Sequence, residues 1–173
     1  MEKRTRVGVV LGVLIGGCAV LQEPQVKRFH DMNGYKYAII PQTASHTSGS
    51  GGISYDMGFG MVASGAVSKS VNPGEVIAGI LMKKGYIVVD KSDRDGAFLV
   101  KYGQGDRRNV LGGLGGYTLG VSIQMLDSKT HEPLFICTAE GQGETEADDI
   151  RKAIARCLRD LQILTWGWLI MAL

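Results

Sequence analysis

The sequence predicts an α+β fold, a two-layer sandwich in which two helices cover one face of a mainly antiparallel sheet of about five strands. Three observations predict it. Residues 117–126 alternate strictly, with Tyr117, Leu119, Val121, Ile123 and Met125 on one side and Thr118, Gly120, Ser122 and Gln124 on the other. That is the period of a half-buried strand. Two stretches, opening at Asn72 and Thr145, carry helix-start chemistry followed by apolar residues three and four apart. Short β-branched and aromatic runs bounded by turn residues surround them, giving the order β-α-β-β-β-β-α.

The chain begins with three zones. Lys3, Arg4 and Arg6 stand against Glu2, residues 7–15 (VGVVLGVLI) are apolar and uncharged, and Gly16, Gly17 and Cys18 follow. A cationic start, a short apolar stretch and small residues before a cut make a secretory leader. The stretch ending at Leu21 is too short for the roughly 20 apolar residues of a membrane span. Ile15-Gly16-Gly17-Cys18 resembles the lipobox of bacterial lipoproteins. That resemblance implies cleavage between Gly17 and Cys18, a diacylglyceryl thioether on Cys18, and acylation of the new amino end. Several acyl chains anchor firmly where one binds marginally. Without residues 1–17, 156 of the 173 residues remain, and the chain's net +2 falls to zero, because the leader holds three cations and one anion. A neutral domain offers no electrostatic case for nucleic acid.

Residues 18–34 read as a lipidated tether, with Pro24, mixed charges, Asn33-Gly34 and no sustained period. The α+β domain then occupies residues 35–163. Residues 35–41 (YKYAIIP) form a first strand ended by Pro41. Residues 42–71 form a flexible Gly/Ser-rich insert, since loops of that length are disordered or functional more often than structural. A helix opens with Asn72 as cap, Pro73 at its first position and Glu75 three after the cap, and closes at Gly85. Residues 86–89 and 97–102 are strands, and residues 103–116 a second glycine-rich loop. The alternating strand returns as a hairpin through residues 134–140. Thr145 caps the last helix, where Glu146, Asp148 and Asp149 suit its positive end and Ile150, Ala153, Ile154, Cys157, Leu158 and Leu161 make one apolar stripe. Residues 164–173 (LTWGWLIMAL) form an apolar tail.

Five segments carry a resemblance: YKYAII, LMKKGY at 81–86, AFLVKYG at 97–103, LDSKT at 126–130 and EADDIRKAIARCL at 146–158. Across about Tyr35 to Leu161 the chain resembles small bacterial envelope lipoproteins whose shared domain has no assigned function. The Gly/Ser insert and the tail depart from that pattern. The resemblance implies an envelope lipoprotein and carries over no catalytic residue.

The chemistry on offer is sparse. His30, His46 and His131 fall in a tether, a loop and a turn, without the convergence a metal needs. Asp93-Arg94-Asp95-Gly96 lacks the flanking carboxylates of a calcium loop. The glycine runs lack the Gly-Lys-Ser/Thr end of a P-loop, so no cofactor is implied. Arg107 and Arg108 are candidates for gripping an anion, against the simpler reading of a solvated loop. Cys137 and His131 form a nominal nucleophile–base pair on one hairpin, but an apolar strand around Cys137 raises its pKa. Cys137 and Cys157 read as two separate buried thiols, although export makes a bridge chemically possible. Two apolar surfaces remain as candidate contacts: Tyr55, Met57, Phe59 and Met61, alternating with Gly58 and Gly60, and Trp166 with Trp168 in the tail.

These readings lead to a membrane-anchored, non-catalytic binding or assembly module with an envelope protein as partner. Ala19 and Val20 follow the cysteine, with no aspartate to mark inner-membrane retention, and by resemblance to Gram-negative sorting signals the outer membrane facing the periplasm is expected. The competing expectation is a small-molecule binder or hydrolase built on the Arg107–Arg108 loop and the His131/Cys137 hairpin.

Overall fold

The computed structural model describes residues 21–50, 53–56, 60–63, 67–110 and 116–161, with backbone only at 50, 53–56, 60–63 and 67. In chain order the elements are β1 (Gln25–Arg28), β2 (Tyr37–Ile39), β3 (His46–Ser50), β4 (Ile53–Asp56), β5 (Gly60–Ala63), β6 (Val67–Val71) and α1 (Pro73–Lys83). They continue with β7 (Ile87–Val89), β8 (Ala97–Asn109), β9 (Tyr117–Asp127), β10 (Pro133–Gly141) and α2 (Glu146–Leu158). Six strands make one mixed sheet in the order β1-β10-β9-β8-β2-β7, and with the two helices the fold is α+β.

Both helices start where local chemistry says they should. Asn72 caps α1 by accepting the Glu75 backbone N–H with its side chain, Pro73 needs no N–H partner at the first position, and Gly85 follows the end at φ 92°. Thr145 caps α2 by accepting the Asp148 N–H. The α2 stripe is buried as its spacing requires: Ile150, Ala153, Ile154 and Leu158 are fully covered. It packs on β9 and β10 and touches α1. Facing it, Val121, Ile123 and Met125 of β9 and Phe135 and Cys137 of β10 close the core. Each fully buried Ile, Leu or Phe contributes about 1.5–3 kcal/mol relative to exposure.

The structure differs from the sequence expectation in four places. First, residues 18–34 are not tether throughout. β1 pairs antiparallel with β10, Val26 opposite Cys137, and Met32 is buried in the core. QVKR is too short and polar to show a period, so its strand character comes from the ladder it joins.

Second, the insert 42–71 is largely paired. β3 and β6 run antiparallel from His46 opposite Val71 to Ser50 opposite Val67, and β4 and β5 pair from Ile53 opposite Ala63 to Asp56 opposite Gly60. The described residues of the segment form two separate two-stranded sheets, β3 with β6 and β4 with β5. Serine and glycine hid them because they supply backbone hydrogen bonds without the apolar alternation by which strands are recognised.

Third, the strand after Gly96 runs on to Asn109, so Arg107 and Arg108 lie on β8 and not in a loop. The ladder shifts between Gln104 and Arg107, where Gly105 and Asp106 bulge opposite Gly120. A bulge reverses which residues face which side. Here it turns Arg107 toward α2 and Arg108 toward β10.

Fourth, Cys137 and Cys157 are joined by a disulfide, with Cα atoms 5.6 Å apart, tying β10 to α2. Both cysteines are buried on facing core stripes, as their apolar neighbours predict, but as a bonded pair and not as two separate thiols. That the stripes bring them within bonding distance is a tertiary fact.

The sheet is mixed: β2 runs parallel to both β7 and β8, while the pairs among β1, β10, β9 and β8 are antiparallel. The helical crossover through α1 returns the chain to the same end of the sheet, which makes β7 parallel to β2.

Candidate functional site

The amino end of α2 is where side chains from separate elements converge. Its cap is built from two sources. Thr145 accepts the Asp148 N–H at 3.3 Å, and Ser48 on β3 accepts the Ala147 N–H at 2.9 Å. Helix starts leave backbone donors unsatisfied, and here one is met by a residue of the ribbon.

Two carboxylates of the first turn then bind neighbouring elements. Lys69 on β6 donates to Asp148 at 2.8 Å and to Glu144 at 3.4 Å, and Arg151 donates to the Ser70 carbonyl at 2.5 Å. The Lys69 ammonium and the Thr145 hydroxyl hold the Asp148 carboxyl below its usual value. From β8, Gln104 donates to Glu146 at 2.9 Å, and Arg107 pairs with the other oxygen of the same carboxylate. The Arg107 guanidinium also stacks over the Tyr117 ring at 4.8 Å. A third, Asp149, points inward. Its carboxyl accepts the Gly143 backbone N–H, and burial pushes it above its usual value. Its Oδ1 has no hydrogen-bond partner among the described residues.

The acidic helix start thus clasps the β3–β6 ribbon on one side and β8 on the other. The sequence showed the acids and explained them by the helix dipole. It held no sign of the partners Ser48, Lys69, Gln104 and Arg107, which lie in segments read as loops.

The sequence candidates fall into place around this cluster. Arg107 and Arg108 are each engaged by a carboxylate. Arg108 makes two hydrogen bonds to Glu140, at 2.8 and 2.6 Å, and Arg107 is held by Glu146 through one nitrogen. Glu140 thus fills the guanidinium fork of Arg108 that an anion would need. The His131/Cys137 pair fails as well: Cys137 is fully buried and disulfide-bonded, so it offers no thiol, and His131 is an exposed turn residue at φ 61°. No group of three His, Cys, Asp or Glu side chains stands together for a metal among the described residues.

Of the contact candidates, Tyr55 and Met61 lie opposite each other across the β4–β5 ladder. Met57, Phe59, Trp166, Trp168, Gly17 and Cys18 lie outside the described residues. Among those that are described, no helix is long and apolar enough to cross a membrane.

No protein-family model matches the sequence, and no curated protein does. Solved structures similar in backbone include the following two. One is a PelC dodecamer from Paraburkholderia phytofirmans, 12% identical with TM-score 0.43, covering 78% of this chain and 94% of that one. The other is a PDZ domain protein from Parabacteroides distasonis, 12% identical with TM-score 0.44, covering 86% of this chain and 36% of that one.

Proposed function

We propose that this protein is a lipid-anchored module of the bacterial envelope that binds or assembles with an envelope protein and performs no catalysis. Cys18 carries the lipid and ties the domain to the outer membrane on its periplasmic side. The domain is a two-layer sandwich with α1 and α2 on one face, and it presents residues 46–71 as its contact element. One observation carries the reading: the convergent charged groups at the start of α2 are engaged in holding ribbon and sheet together. A cluster used in this way positions a surface. The segment it positions holds the alternating Ile53, Tyr55, Met57, Phe59 and Met61, and apolar, methionine-bearing segments adapt to partner surfaces.

The disulfide between Cys137 and Cys157 supports the envelope, since such bonds persist in oxidising compartments. The test is a photo-crosslinking residue at Tyr55 or Met61 in the native cells, followed by mass spectrometry. Recovery of one envelope protein from both positions is the expected result. A chain that crosslinks to nothing and carries an unmodified Cys18 overturns the reading.

A further inference from the structure

Three carbonyls fix where the chain leaves the last helix. Arg28 donates to the Asp160 carbonyl at 2.5 Å, and Lys84 donates to the carbonyls of Arg159 and Leu161 at 2.9 and 2.6 Å. Carbonyls at a helix end lack intrahelical partners, and cations are favoured there. Leu161 is thereby set into the core, where it is 3% exposed.

Leu161 also lines a cavity of about 250 Å³ between the end of α2 and the segment that follows β1. Its apolar walls are the buried Met32, Leu134, Phe135 and Leu161. Phe29 lines it too while remaining 48% exposed, so its ring stands at the rim, with its backbone N–H held by the Leu134 carbonyl at 2.9 Å. The charged groups of the lining are already engaged. Arg28 is bound to the Asp160 carbonyl, and Asp31 accepts the backbone N–H and the side-chain amide of Asn33 at 3.1 and 2.5 Å. An uncharged, apolar occupant suits such walls. Two cavities of about 320 and 290 Å³ lie around residues 40–43 instead, and neither touches Leu161.

Residues 162–173 (QILTWGWLIMAL) lie outside the described residues, begin at this wall and hold no charged side chain. They are too few for the roughly 20 residues of a membrane span. Trp166 comes five residues after Leu161, so its reach is about 17 Å at full extension. A segment on so short a tether acts at an effective concentration in the millimolar range, ahead of any dilute partner.

We propose that residues 162–173 fold back on this cavity in their own chain, with Trp166 entering it beside Phe29, and so close that end of the core. Tryptophan brings a large apolar area for one side chain, and the exposed Phe29 ring gives it an aromatic neighbour. The segment is then part of the domain, and residues 46–71 are left as its contact element. The proposal goes beyond the envelope reading and holds with or without lipid on Cys18.

The experiment places the photo-crosslinking analogue p-benzoylphenylalanine at Phe29 of the full chain in the native cells, which keeps an aromatic ring at a half-exposed position. After irradiation, digestion and mass spectrometry should find a link from residue 29 to residues 162–173 in chains that remain monomeric in a denaturing gel. The Trp166→Ala chain should give about a tenth as much of that product. The same analogue at Ile87, 40% exposed on the opposite edge strand of the sheet, should not give it. A covalent dimer overturns the proposal in favour of a second copy. A link from residue 29 to phospholipid or to another protein overturns it in favour of that occupant. The absence of any product, or an equal yield from position 87, overturns it as well.

Discussion

Asp149 is 2% exposed on the core side of α2, and burial is the main cause that raises its carboxyl pKa. The folded state therefore holds that proton more tightly than the unfolded chain. The resulting stabilisation is complete below the unfolded value of 3.8 and is lost as pH rises through the folded value. Asp149→Asn removes the titration while keeping an oxygen for the Gly143 N–H. The variant should therefore gain stability relative to the parent as pH rises above 3.8, measured by urea denaturation. A difference that does not change with pH would refute this account.

A second residue-level consequence lies nearby. A Cβ on Gly141 would stand 1.9 Å from the Asp149 carbonyl oxygen and 2.9 Å from the Ala153 nitrogen. Both are backbone atoms of α2, so no rotamer change relieves the clash. Gly141→Ala should lower the unfolding free energy by about 3 kcal/mol, at the upper end of overpacking costs, and denaturant titration measures it.

Elements are joined here by polar contacts at their ends as well as by apolar faces, and the two kinds of contact respond differently to change. Thr145→Ala removes the acceptor for the Asp148 N–H and the hydroxyl that donates to the Asp148 carboxylate at 3.0 Å. The expected loss is about 1 kcal/mol, seen as a lower denaturant midpoint with unchanged slope. The clasp on the ribbon is weaker. Lys69 is 34% exposed at its side chain, and solvent-screened ion pairs contribute little to global stability. Lys69→Ala should therefore leave the global denaturant midpoint nearly unchanged while speeding proteolytic cleavage within residues 46–71. High salt should do the same to the parent protein. Cleavage rates that respond to neither would show that the clasp does not hold the ribbon.

For the molecule as a whole, the disulfide is the one covalent tie between the sheet and the helix layer among the described residues. It joins residues 20 apart in sequence. Closing a loop of that size restricts the unfolded chain by about 3 kcal/mol. Unfolding in urea with and without reductant should differ by that amount, and the double substitution Cys137→Ala with Cys157→Ala should reproduce the reduced protein. The bond also removes Cys137 as a nucleophile, so the rival hydrolytic reading loses its reactive atom to the same contact that holds the fold.

What could be read from the linear chain was whatever physics keeps within a few residues. Caps at Asn72 and Thr145, the proline at the first position of α1, the α2 stripe and the alternation of β9 are interactions between positions at most four apart or along one strand. The apolar run of residues 7–15 and the Ile15-Gly16-Gly17-Cys18 pattern are local in the same way. The pairing of β1 with β10, the strand pairs of residues 46–71, the extension of β8 through a bulge and the Cys137–Cys157 bond are decided between segments far apart. So are the partners of Arg107 and Arg108. Their favourable energy exists only once the sheet is assembled and its register set, and Gly, Ser and short polar runs carry no side-chain period that would announce it beforehand.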